Sequence, residues 1–179
     1  MDEDKGGDEK IGGWHVNKQW ADGYLPQIQR VIREVAPQLI TIRVSTRSED
    51  VHQASDYVVV TEQGSIGCRV RRPHTWERYG DVTFRSKVRG TRKTEIDKIL
   101  EGWGRWYLYA WALDNTSTDL EAWVFLDLDQ LRASGLLLKK MREIDNYDSS
   151  SKFKRINIPD LQRGNCILDA GGAALGKIK

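Results

Sequence analysis

Apolar positions change their spacing several times along the chain, and each change marks an element. Between Trp20 and Pro37, the residues Leu25, Ile28, Val31, Ile32 and Val35 recur at helical spacing. Pro26 suits the first turn of that helix, and Pro37 ends it. Strand-like runs follow. Leu39 to Val44 is β-branched, and Tyr57 to Thr61 is a nearly continuous apolar run, typical of a strand covered on both faces. Glu62-Gln63-Gly64-Ser65 reads as a turn, and Ile66 to Arg72 returns as the second arm of a hairpin. In that arm Ile66, Cys68 and Val70 point one way, Arg69 and Arg71 the other. Past Pro73, Val82 and Phe84 alternate with Thr83, Arg85 and Lys87.

The longest helix is expected from Thr94, where Thr94-Glu95-Ile96-Asp97 resembles a capping arrangement. Ile96, Ile99, Leu100, Trp103 and Tyr107 form its apolar stripe, and Gly102 and Gly104 mark a kink or a close packing contact. A strand over Ala122–Leu126, a short helix from about Asp129 to Leu138 and a short strand near Arg155–Ile158 complete the order. Lys139 onward is polar, with a loop at Asp148–Ser151. No internal repeat is visible. Residues 1–13 read as a disordered leader, 14–165 as one domain and 166–179 as a flexible tail. The order predicts an α/β (α+β) fold, a mixed sheet of four to six strands flanked by helices, with three or four strands in meander.

Composition narrows the class. An apolar fraction of 39% with seven tryptophans fills a core, so wholesale disorder is excluded. Two cysteines, Cys68 and Cys166, are too few for a disulfide framework, and the scattered His15, His52 and His74 offer no zinc spacing. No apolar run approaches the roughly 20 residues that span a bilayer, and the acidic, glycine-rich start is unlike a signal peptide. A soluble, cytoplasmic protein with no membrane partner is the expectation.

The net charge of +2 says little, but its distribution says more. Arg69, Arg71, Arg72, Arg78, Arg85, Lys87, Arg89, Arg92 and Lys93 fall within one stretch, opposed only by Glu77 and Asp81. Arginine dominates, and its planar fork grips phosphate oxygens in pairs. If the strand faces bearing Arg69/Arg71 and Arg85/Lys87 align, they make a positive surface two strands wide, suited to a DNA or RNA backbone. The bland alternative is a solvated strand face with basic loops. The aromatic run from Trp103 to Trp111 is mainly core, with a ring or two left for stacking on bases. Gly171 to Lys177 has P-loop spacing, but Ile178 stands where a magnesium-binding hydroxyl is needed, so that motif is set aside.

The helix, meander, helix, strand order resembles the core of the PD-(D/E)XK, or restriction-endonuclease-like, superfamily. That resemblance implies a divalent metal, Mg2+, held by carboxylates that activate water beside the attacked phosphate. It points to Asp56 at the head of the apolar strand, with Asp81 as second metal ligand, or Glu95 in its place, and Glu34 on the first helix as a further acid. Arg69, Arg71 and Arg85 would orient the phosphate, with Arg72, Lys87, Arg89 and Lys93 adding backbone contacts. Where that family has Glu-x-Lys, this chain reads Cys68-Arg69-Val70-Arg71. Two plainer readings stand beside these: Asp56 as a turn or cap residue, and Asp81 paired with Arg78 or Arg85. Alanine at both Arg69 and Arg71 is expected to weaken polyanion binding without unfolding the chain.

The stretch from Asp56 to Trp111 is also similar to bacteriophage and prophage proteins, through Cys68-Arg-Val-Arg-Arg, Tyr79-Gly-Asp-Val-Thr-Phe-Arg-Ser and Lys93-Thr-Glu-Ile-Asp-Lys-Ile-Leu-Glu-Gly-Trp-Gly. That likeness implies a phage role in the bacterial host cytoplasm. Three functions follow: a metal-dependent nuclease, a nucleic-acid binder without catalysis, or an accessory protein that docks a host protein to block a defence system.

Overall fold

A computed structural model describes residues 19–37, 41–44, 57–61, 64–88, 90, 92–139, 143–145, 151–176 and 178. The leader expected over residues 1–13, together with Asp56 and Arg89, lies outside them. Helix α1 (Leu25–Val35) is followed by strands β1 (Thr41–Val44), β2 (Tyr57–Thr61) and β3 (Gly64–Arg71). Next come α2 (Thr75–Arg78), β4 (Asp81–Val88), α3 (Glu95–Leu100), β5 (Trp106–Ala112) and β6 (Leu120–Asp127). Helix α4 (Leu128–Ala133), β7 (Glu143–Asp145), β8 (Ser151–Asn157), α5 (Ile158–Arg163) and β9 (Ile167–Gly172) complete the order, with a 3-10 turn at Ala173–Gly176.

The strands form two sheets: a mixed one ordered β1-β2-β3-β5-β6-β9 and an antiparallel one ordered β4-β8-β7. This is the expected α+β architecture with a mixed sheet flanked by helices. The hairpin β2–β3 pairs as the sequence predicts, Tyr57 opposite Cys68 and Thr61 opposite Gly64. The meander does not continue. The partner of β3 is β5, in parallel, with Ile66 opposite Trp106, and β4 belongs to the second sheet.

Strand β5 explains this arrangement. Its seven residues, Trp-Tyr-Leu-Tyr-Ala-Trp-Ala, are all buried, as a central strand covered on both faces requires. Trp106, Leu108, Ala110 and Ala112 pack with Ile66, Cys68 and Val70 of β3 against Ile28, Val31 and Ile32 of α1. Tyr107, Tyr109 and Trp111 pack on the other side with Val82 and Phe84 of β4, Ile156 of β8, Ile96 and Ile99 of α3, and Leu161 of α5. The chain is thus layered as helix, six-stranded sheet, then the smaller sheet with its helices.

The long helix expected from Thr94 stops at Leu100, and Tyr107 is a strand residue. Gly102 takes φ +96°. Its N–H donates to the Ile99 carbonyl, and the Trp103 N–H donates to Lys98, both at 3.0 Å. This pair of bonds closes a helix with a left-handed residue, a conformation that favours glycine. The glycines therefore terminate the helix rather than kink it. Gly67 serves another purpose: a Cβ there would lie 2.6 Å from the Trp103 ring and 2.8 Å from Tyr107, so the bare backbone lets both rings cover β3.

The C-terminal segment, expected as a flexible tail, supplies β9, which pairs with β6 from Ala122–Gly172 to Leu126–Ile167. Ala170 and Ala174 join the core there, which gives the segment the apolar anchorage its glycines concealed. Among the described residues, no helix is long and apolar enough to cross a membrane.

Candidate nucleic-acid interface

On β3 the alternation that sends Cys68 toward α1 sends Arg69 and Arg71 between the sheets. Arg69 meets Glu95 at 3.0 Å, with side chains 13% and 1% exposed, and its Nη1 also donates to the Thr83 carbonyl at 3.3 Å. Glu95 accepts twice more, from the Tyr107 hydroxyl at 2.8 Å and the Arg85 backbone N–H at 3.0 Å. That carboxylate therefore ties β3, β4, β5 and α3 together. Such a buried charge persists only when paired and hydrogen-bonded.

Arg71 lies one step further along β3. Its Nη1 donates to the Thr83 hydroxyl at 3.2 Å, and that hydroxyl shares a 2.8 Å hydrogen bond with the Tyr109 hydroxyl. Among the described residues Arg71 has no carboxylate within ion-pair distance. It stands at a cleft of about 950 Å³ over the outer face of the smaller sheet, lined also by Tyr79, Asp81, Thr83, Phe153, Arg155 and Asn157 and by Glu143, Ile144 and Asp145 of β7. The register explains this lining, because Asp81 opposes Asn157, Thr83 opposes Arg155, and Arg85 opposes Phe153. Val82 and Phe84 alternate with them into the core.

Asp81 is 8% exposed and accepts from Arg155 Nε, so its partner is Arg155 rather than Arg78 or Arg85. The Arg155 guanidinium lies over the Tyr79 ring, 4.7 Å from its centre, and Arg78 lies 5.2 Å from the same ring. Arg85 stands 5.6 Å from the Phe153 ring. At the rim, Lys87 pairs with Glu143 at 3.4 Å and Lys152 with Asp145 at 3.2 Å. The neighbouring Ser86 hydroxyl, then Lys87 and Lys152, hold the Glu143 carboxyl below the usual carboxylate range.

The structure thus divides the basic cluster that the sequence places on one surface. Arg69 is internal. Arg72 stacks on Trp20, 3.9 Å from the ring centre. Lys93 pairs with Glu101 at 2.6 Å. Arg71 is the member that lines the cleft, and Arg78, Arg85 and Lys87 lie beside residues that do. Alanine at Arg69 accordingly tests stability, and Arg71 alone tests binding.

No family model, curated protein or solved structure matches this chain.

Asp56, the first acid of the expected metal set, lies outside the described residues, and the other acids are engaged elsewhere. Asp81 is taken by Arg155, Glu95 by its three donors, and Glu34 is a 62% exposed helix residue beside Arg30, on the helix that covers the far face of the large sheet. No three His, Cys, Asp or Glu side chains converge among the described residues. What the cleft offers is the Arg71 guanidinium, a second one over a tyrosine ring, a phenylalanine, the polar Thr83 and Asn157, and three carboxylates, Asp81, Glu143 and Asp145, each paired with a basic side chain.

Tyr79, Phe153, Arg155 and Asn157 were not singled out from the sequence. The alternation Ser151-Lys-Phe-Lys-Arg-Ile-Asn157 carries the signal for three of them: read as one strand, it puts Phe153, Arg155 and Asn157 on one face.

Proposed function

We propose that this protein binds nucleic acid through the cleft on the outer face of the smaller sheet, with Arg71 of β3 as the principal phosphate contact. The observation that carries this reading is an arginine without a carboxylate partner among the described residues, in a cleft that also holds Arg155 and two aromatic rings and whose three carboxylates, Asp81, Glu143 and Asp145, are each paired with a basic side chain. Guanidinium forks suit phosphate oxygens, and aromatic planes suit bases. Binding without cleavage is favoured, because Asp81 and Glu95 are occupied by cationic or hydrogen-bonding partners.

Fluorescence anisotropy with labelled DNA and RNA across a salt series tests this. Affinity should fall with salt, and Arg71→Ala should weaken binding for every sequence while reducing the slope by about 1. Binding that ignores both salt and Arg71→Ala refutes the reading. The same samples with magnesium should give no products; products lost in Asp56→Ala would establish a metal-dependent nuclease instead. A protein partner is the second reading, favoured by Leu168 and Leu175, exposed at 52% and 60% on and beyond β9.

A further inference from the structure

We propose that the cleft receives an unstacked base, so that the nucleic acid bound is single-stranded; this inference rests on the nucleic-acid reading above. Four features point to it. Tyr79 lines the cleft and stays 44% exposed, although the Arg155 and Arg78 guanidinium groups both lie over its ring. The Arg155 guanidinium lies over that ring and is itself held by Asp81, so a cationic and aromatic platform exists before any ligand arrives. Phe153 adds a second ring on the same sheet face. Finally, the cleft, at about 950 Å³, is large enough to admit a base with its sugar.

The faces of bases in a duplex are covered by their neighbours. Only an unpaired base presents a face to a tyrosine or a guanidinium plane, which is how single strands are commonly gripped. With the base against Tyr79 and Arg155, the exposed Asn157 side chain lies on the same sheet face to meet its polar edge. Arg71, at the same cleft, takes the adjoining phosphate.

The test compares three probes on the full chain by fluorescence anisotropy. They are oligothymidylate of about 12 nucleotides, an abasic strand with the same number of phosphates, and a duplex of equal length. Oligothymidylate should bind about five-fold or more tightly than the abasic strand, the size of a single base–aromatic stack. Tyr79→Ala should abolish that preference while leaving abasic affinity unchanged, which also reports a folded protein. Tyr79→Phe should keep it. Equal affinity for oligothymidylate and the abasic strand, duplex binding as tight as oligothymidylate, or a preference that survives Tyr79→Ala overturns the inference and leaves backbone binding standing. Failure of all three probes to bind overturns the nucleic-acid reading and this inference with it.

Discussion

Glu95 accepts hydrogen bonds from a guanidinium, a hydroxyl and a backbone amide, at 3.0, 2.8 and 3.0 Å, while only 1% exposed. Removing it would strand the Arg69 charge and the Tyr107 hydroxyl between two sheets. Glu95→Ala should therefore cost about 3 kcal/mol or more in urea unfolding, because breaking a buried pair leaves an uncompensated charge. A double variant, Arg69→Met with Glu95→Leu, should recover most of that loss. A single variant as stable as the parent would mean that water reaches the pair. At this scale the sequence is half legible. Alternation alone separates Arg69 and Arg71 from Cys68, but nothing local says that the arginine face looks inward, because β4 and α3 have to arrive before it has a partner.

Helix α3 shows what the sequence can and cannot say of an element. Its start is local chemistry: the Thr94 hydroxyl accepts from the Asp97 N–H at 3.1 Å, and the Asp97 carboxylate accepts from the Thr94 N–H at 2.8 Å. These bonds are readable from Thr94-Glu95-Ile96-Asp97. The Thr94 backbone, then its side chain, hold the Asp97 carboxyl below its ordinary value of 3.8. The stability it contributes is fully present above pH 3.8 and is lost as pH falls through the lower folded value. Thr94→Ala should cost about 1 kcal/mol at neutral pH, and thermal melts should show that difference shrinking in acid. A gap that stays constant down to the lowest pH would assign the loss to packing instead. The end of α3 misleads because Trp103 and Tyr107 continue its helical spacing by coincidence. A short apolar run fits helix or strand equally well, and the left-handed Gly102 decides between them. Arg132 of α4 then secures that end, donating to the Ile99 carbonyl at 3.0 Å and to Gly104 at 3.2 Å.

For the whole molecule, both cores share β5, and the large sheet ends in β9. Deleting residues 167–179 should leave β6 an open edge and remove Ala170 and Ala174 from the core. The shortened chain is expected to lose its cooperative melt by circular dichroism; an unchanged melt would show that β9 is dispensable. The mixed sheet and most strands were legible from apolar spacing. The division into two sheets was not, because pairing partners distant in sequence leave no local pattern. For the same reason the cleft was invisible: it is assembled from Arg71, Tyr79 and β8, which no single stretch contains. That parallel pairing also governs how the chain must fold. The β2–β3 hairpin can close early, but Ile66 must wait for Trp106, some forty positions later. Closing so long a loop precedes any reward from the contacts it brings, so this is the slow step of folding. Until it is taken, the free edge of β3 is a template for any other extended chain, and the newly made protein is then at its most prone to aggregate.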